Sequence, residues 1–223
     1  MTALNVLVRP DRVHVLTDGA VYTSSGGIVG AMSKVHIMAH LPAVISFRGP
    51  VYFWVALVAQ LDRSGSKSFE ELMVGIADAV NVSVQIGHGT LIPEDLQEIS
   101  KTSDPKHVEV VAAGWSHQRG RPEAYLIDTT KAGGQPIPAP DGYFTPMEPA
   151  LKQRLTVGGW NLYDERNDAR ALLDLMRCQR EERLSIKSGG KIAPLGLFAQ
   201  HTILTRQGVS SQIVERWPED HRA

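Results

Sequence analysis

Short runs of β-forming residues open the chain. Leu4-Asn5-Val6-Leu7-Val8-Arg9 and Arg12-Val13-His14-Val15-Leu16-Thr17 read as two strands, and Pro10-Asp11 between them is a hairpin signal. Asp18-Gly19 punctuates the chain, and Ser24-Ser25-Gly26-Gly27 marks a second turn. Lys34-Val35-His36-Ile37-Met38 and Ala43-Val44-Ile45-Ser46-Phe47 read as two more strands, split by Leu41-Pro42.

The period then changes to that of helices. Val51 to Leu61 is apolar almost all round, which predicts a helix covered on several sides. Pro50 suits its first turn, where a missing N–H costs nothing. Ser68 followed by Glu71 is a capping box. Behind it, Phe69, Leu72, Met73, Ile76, Ala77 and Val80 recur at three and four, giving one buried face.

The second half returns to β structure. Val108 to Ala113 and Ala124 to Ile127 predict a hairpin with a polar connection from His117 to Arg121. Lys131 to Pro149 is rich in Gly and Pro and reads as a long surface loop. A short strand near Leu155-Thr156-Val157 precedes a third helix from about Asp164 to Arg183. Asp164, Glu165 and Asp168 at its start, and Arg177, Arg180 and Arg183 at its end, suit the helix dipole. Gln200 to Leu204 and Ser211 to Val214 are the last strands. Antiparallel hairpins with grouped helices predict an α+β fold of two stacked sheets with helix layers outside. Periodicity alone leaves several α+β folds open.

Length narrows the organisation. A chain of 223 residues suits one large domain, residues 1–223, and is short for two. A net charge of -1 and the lack of a basic stripe argue against a nucleic-acid partner. The single cysteine, Cys178, excludes an internal disulfide and fits a reducing compartment. No export-signal pattern opens the sequence, and its most apolar run is too short to span a bilayer. These features predict a cytoplasmic protein without a membrane partner.

Several chemistries are disfavoured by what the sequence lacks. The histidines are scattered, and neither His14 nor His36 has a second ligand at metal spacing, so no metal site is expected. There is no H-E-x-x-H or paired-cysteine motif, and the glycine-rich stretches lack a phosphate loop's Lys-Ser/Thr ending. Gly114-Trp115-Ser116 lacks the second glycine of a nucleophile elbow. Cys178 reads as a small buried hydrophobe, and Trp54, Trp115, Trp160 and Trp217 read as packing.

Thr2 is the residue with chemical interest. A threonine hydroxyl needs a base to act as a nucleophile. The α-amine of an N-terminal residue, with an ordinary pKa of about 7.7–8.0, is neutral often enough to serve. Removal of Met1 would place that amine and the hydroxyl on one residue. Asp18 closes the second strand and Lys34 opens the third. A lysine beside the hydroxyl would lower its pKa, and a carboxylate would hold the lysine charged and oriented.

These residues carry a resemblance. Thr2, then Val13-His14-Val15-Leu16-Thr17-Asp18-Gly19, Lys34-Val35 and Ala43-Val44-Ile45-Ser46-Phe47-Arg48-Gly49 are similar to the start of proteasome β subunits. The simpler bacterial proteasome-like threonine peptidase is the nearest form. The spacing fits without insertion or deletion from Thr2 to Gly49. The resemblance implies an N-terminal-nucleophile hydrolase with a four-layer αββα sandwich. Thr2 would be nucleophile and base, Lys34 would tune it, and Asp18 would orient Lys34. It also implies a ring-like homo-oligomer, an unfoldase ring as partner, and no metal or organic cofactor.

Ser46 occupies the place of the glycine whose N–H is the family's oxyanion donor, which puts a side chain beside the substrate channel. Ser46, Phe47, Arg48 and Gly49 are therefore the expected oxyanion and substrate-binding stretch. Arg48 reads first as a salt-bridging residue and second as a binder of a substrate carboxylate. In the second half, Gly159 falls where the family has a serine supporting the Thr amine. Ser188-Gly189 matches a later Ser-Gly, with Ser185 in place of an Asp. The alternative is a non-catalytic subunit that keeps the fold as an oligomeric scaffold. A third reading is a hydrolase of small amides.

Overall fold

A computed structural model describes residues 2–23, 27–38, 40–89, 107–131, 134–147, 149, 151–153, 167–182, 184–185, 191–192 and 195–222. Its opening hairpin is β1 (Leu4–Val8) and β2 (Arg12–Asp18), joined at the expected Pro10-Asp11 turn. A short hairpin follows, β3 (Ala20–Tyr22) with β4 (Ile28–Ala31), which the sequence pattern did not suggest. Strands of three and four residues are too brief to show a period. Next come β5 (Val35–Met38) and β6 (Ala43–Arg48), then α1 (Val51–Ser64) and α2 (Phe69–Gly89).

The second half contributes β7 (Glu109–Ser116), β8 (Arg121–Asp128), β9 (Ile137–Pro138) and β10 (Gly142–Thr145). Helix α3 (Asp168–Glu181), β11 (Leu184–Ser185) and β12 (Lys191–Ile192) follow. The chain closes with β13 (Phe198–Thr205), β14 (Gly208–Arg216) and a 3-10 turn over Pro218–Arg222.

Two five-stranded antiparallel sheets form the centre. One runs β10-β1-β2-β13-β14 and the other β5-β6-β7-β8-β9. Alternation along each strand sorts residues to two faces. Leu4, Val6, Val13, Val15 and Leu204 from the first sheet meet Val44, Val111, Ala113, Ala124 and Leu126 from the second. The outer face of the second sheet, with Ala43, Ile45, Phe47, Val110 and Ala112, is covered by Phe53, Trp54, Leu57, Leu72 and Ile76 of α1 and α2. The outer face of the first sheet, with Leu7, Leu16 and Ala199, is covered by Leu172 and Met176 of α3. The order helix, sheet, sheet, helix is the expected four-layer αββα sandwich.

Three expectations need correction. Val55 on α1 is 63% exposed, so α1 is covered on one side only, through Phe53, Trp54, Leu57 and Leu61. Pro50 is the extended N-cap of α1 rather than part of its first turn. The region 131–149 is not loop throughout. Its β9 and β10 extend one edge of each sheet, and Thr145 is buried. The capping box at Ser68 forms with a shift. Glu71 N–H donates to Ser68 Oγ at 3.1 Å, while the Glu71 carboxylate takes the N–H of Lys67 at 2.8 Å.

The third helix starts at Asp168, and the expected strand at Leu155-Thr156-Val157 lies outside the described residues, as do Asp164, Glu165 and Arg183. Asp168, Arg177 and Arg180 are held by specific partners, beyond any service to the helix dipole. Asp168 binds Arg9, Arg177 binds Glu215, and Arg180 binds Asp220.

Candidate functional site

The end of β2 is bracketed on both sides. Register places Leu4 of β1 opposite Thr17 and Ala199 of β13 opposite Asp18. Asp18 is fully buried, so its carboxylate needs partners from within the protein. It has four. Oδ1 accepts from Lys34 Nζ at 2.8 Å and from the Ala3 N–H at 3.0 Å. Oδ2 accepts from the N–H of Ala20 at 3.1 Å and of Gly196 at 3.3 Å. The lysine head and the peptide that follows Thr2 therefore meet on one oxygen atom.

Lys34 enters from the other sheet, one residue before β5. It is 2% exposed, and burial pushes its ammonium below the ordinary lysine range. The charge and hydrogen bond of Asp18 act against that shift. Thr2 is 4% exposed and sits one residue from the Ala3 N–H. The fold thus joins Asp18 to Lys34 and to the peptide that follows Thr2.

The stretch at Ser46 is committed to structure on the side-chain level. Ser46 pairs with Val35 across the β5–β6 ladder, and its hydroxyl donates to the Lys34 carbonyl at 2.8 Å. That bond ties the residue that leads into β5 to β6. Phe47 stacks on Trp54 with centroids 4.3 Å apart. Arg48 donates to Glu109 at 2.9 Å and to Thr145 at 3.0 Å, the salt-bridging arrangement that the sequence favoured. A Cβ on Gly49 would come within 3.3 Å of Val108.

Ser185 lies in β11, opposite Lys191 of β12. Gly159 and Ser188 lie outside the described residues.

Sequence reasoning missed the backbone. The donors at Ala3, Ala20 and Gly196 complete the partners of Asp18 beside Lys34, and amides leave no mark in side-chain spacing. Gly19 offered one signal. A Cβ there would collide with the Phe198 ring at 2.2 Å, so the glycine leaves room for that ring at the end of β2. The other acidic cluster is at His107, Glu109 and Asp128, whose ligand atoms lie within 4.8 Å of one another. Its carboxylates are already matched. Glu109 holds Arg48 and the Tyr143 hydroxyl, and Asp128 holds Lys131 and Thr130.

No protein-family model matches the sequence, and no curated protein does. Among the solved structures that match over nearly its whole length are two from bacteria. One is an Anbu (Gly-1) mutant from Hyphomicrobium sp. strain MC1, at TM-score 0.63 and 15% identity over 96% of this chain and 88% of that one. The other is Anbu (ancestral beta-subunit) from Yersinia bercovieri, at TM-score 0.65 and 12% identity over 100% of this chain and 91% of that one. The fold is shared with both. The αββα arrangement of this chain thus has solved counterparts that extend from its first strands to its last.

Proposed function

We propose that the chain is a threonine-type amide or peptide hydrolase whose nucleophile is Thr2, exposed by removal of Met1. The observation that carries the reading is the shared Asp18 oxygen, which takes both Lys34 Nζ and the Ala3 N–H. A buried ammonium held by a carboxylate, close to the peptide that follows Thr2, suits activation of a hydroxyl. Thr2 Oγ would attack the amide carbon, and its proton would pass through the α-amine to the leaving amine. Water, deprotonated by the same amine, would then cleave the Thr2 ester and restore the hydroxyl. Asp18 keeps Lys34 charged and fixed. Backbone N–H groups around Ser46 to Gly49 are the proposed oxyanion donors.

The neighbour described as a beta-subunit, together with the resemblance of residues 2 to 49, supports a homo-oligomer. A ring is the proposed form, with an unfoldase as its partner, in the cytoplasm. No described helix is long and apolar enough to cross a membrane. Light scattering on the purified protein tests the assembly.

A scaffold reading has its own support. In the substrate stretch, Ser46 spends its hydroxyl and Arg48 one guanidinium nitrogen on internal partners. Intact mass before and after treatment with an electrophile that captures N-terminal threonine decides between the two. Loss of one Met and one adduct, abolished by Thr2→Ala, is the result expected of the hydrolase. Retained Met, or a free Thr2 that takes no adduct, leaves the scaffold.

A further inference from the structure

Gly196 donates to Asp18 from an unusual piece of backbone. Leu197 has φ +68°, the one positive φ at a non-glycine among the described residues. The Phe198 N–H closes back onto the Gly196 carbonyl at 2.9 Å, forming a tight γ-turn around Leu197. Such a turn is strained and persists only when its surroundings hold it.

The holder is the C-terminal segment. The Leu197 N–H donates to Asp220 Oδ2 at 2.7 Å, and the Leu197 carbonyl accepts from the Trp217 N–H at 2.8 Å. Asp220 is itself gripped by Arg180 of α3 through two bonds, at 2.8 Å to Oδ2 and 2.7 Å to Oδ1. The same guanidinium donates to the Leu195 carbonyl at 3.0 Å and lies 4.7 Å from the Trp217 ring centre. A Cβ on Gly196 would fall 2.6 Å from Asp220 Oδ2 and 3.0 Å from the Tyr22 hydroxyl, so a larger residue there would push against Asp220.

The geometry points to Asp220 as a positioning residue. By locking the Leu197 turn it aims the Gly196 N–H at Asp18, and so the C-terminal segment sets the Thr2–Asp18–Lys34 cluster. The chain of contacts runs from Arg180 to Asp220, from Asp220 to the Leu197 N–H, and from the adjoining Gly196 N–H to Asp18. Its functional consequence rests on the proposed reading of Thr2 as nucleophile, while its structural half does not.

The test uses Asp220→Ala, with Asp220→Asn as the milder variant that keeps an acceptor for Leu197 and loses the charge on Arg180. Two readouts are taken on the full chain. The first is the rate of adduct formation at Thr2 against electrophile concentration. The second is hydrogen exchange at the Ala3, Ala20 and Gly196 amides.

The expected result is a maximal adduct rate lowered about tenfold to a hundredfold, as small misplacements near reacting groups produce. The half-saturating concentration should hold, exchange should quicken at the three amides, and α1 and α2 should exchange as before. Asp220→Asn should fall between. A variant that reacts at the parent rate overturns the proposal, and so does unchanged exchange at Gly196 and Ala20. If the parent protein takes no adduct, the nucleophile reading fails. Exchange alone then decides the clamp, with faster exchange supporting it and unchanged exchange overturning it.

Discussion

Strand β2 carries two buried polar clusters on one face, and they solve the burial of charge in opposite ways. At its C-terminal end, Asp18 is met by one lysine and three backbone N–H groups. Four residues earlier, His14 lies against His201, with Nδ1 and Nε2 3.0 Å apart and rings stacked at 5.2 Å. The other ring nitrogen, His14 Nε2, is 3.5 Å from Asp168 and has no hydrogen-bond partner among the described residues. Asp168 at the head of α3 is held by Arg9 at 2.9 and 2.5 Å. The first cluster is a charged pair fixed by peptide dipoles. The second keeps two imidazoles neutral and leaves them able to titrate.

That contrast predicts unequal responses to losing a cation. Lys34→Met leaves the Asp18 charge buried without a counter-ion, and should cost about 3–5 kcal/mol in urea unfolding. Adding Asp18→Asn should recover part of that loss, because the buried charge goes with it. Arg9→Met should cost less. His14 stands beside Asp168 and can take up a proton to replace the missing cation. Equal losses in the two variants would erase the distinction between the clusters.

The two clusters were also unequally legible in the sequence. Thr2 stands out by its place after Met1, and Asp18 and Lys34 stand out because they bound strands whose period-2 patterning is clear. The strands around them, β1, β2, β5 and β6, were placed within a residue or two for the same reason. The His14 cluster was hidden. It assembles residues 9, 14, 168 and 201 through a sheet and a helix that meet only in the folded chain. The cover of α1 was misjudged because an apolar residue such as Val55 looks the same whether a neighbour lies over it or not. Strands β9 and β10 were missed among Gly and Pro because their pairing with β8 and β1 is tertiary.

Acid separates the clusters next. Burial and the neighbouring His201 hold the His14 pKa down at about 4, against an ordinary value of 6.5, and burial lowers His201 as well. Arg12 and Arg9 add to the depression and Asp168 opposes it. The unfolded chain binds these protons first as pH falls. Stability is therefore full above about pH 6.5 and drains away between there and about pH 4. At about 1.4 kcal/mol per unit, His14 alone accounts for roughly 3 kcal/mol. Urea midpoints between pH 7 and pH 4 should show the slope, and the double variant His14→Leu with His201→Met should flatten it. A slope unchanged by that pair would place the titration elsewhere.

A smaller effect tests the tie between the Asp18 cluster and its supporting strand. Ser46→Ala removes the donor to the Lys34 carbonyl and should cost about 1 kcal/mol, the usual worth of such a bond. Ser46→Gly should cost somewhat more, through added backbone freedom in β6. If Thr2 reacts with an electrophile, its rate in Ser46→Ala shows whether that tie also sets Lys34. An unchanged rate with lowered stability would confine Ser46 to holding β5 on β6.

The smallest effect has the opposite sign and comes from the other face of β2. Thr17 alternates with Asp18, so its side chain turns toward the space between the sheets, beside Val15 and opposite Leu4. It is fully buried, and its hydroxyl has no hydrogen-bond partner among the described residues. An unpaired buried hydroxyl costs free energy, whereas a methyl group of the same shape costs nothing in an apolar setting. Thr17→Val should therefore raise stability, by up to about 1 kcal/mol, without touching the Asp18 contacts one residue away. Lowered stability would mean that Thr17 has a partner in solution, such as a bound water bridging the sheets. β2 would then carry satisfied polar groups on both faces, and the two clusters would be part of a longer polar line through the molecule.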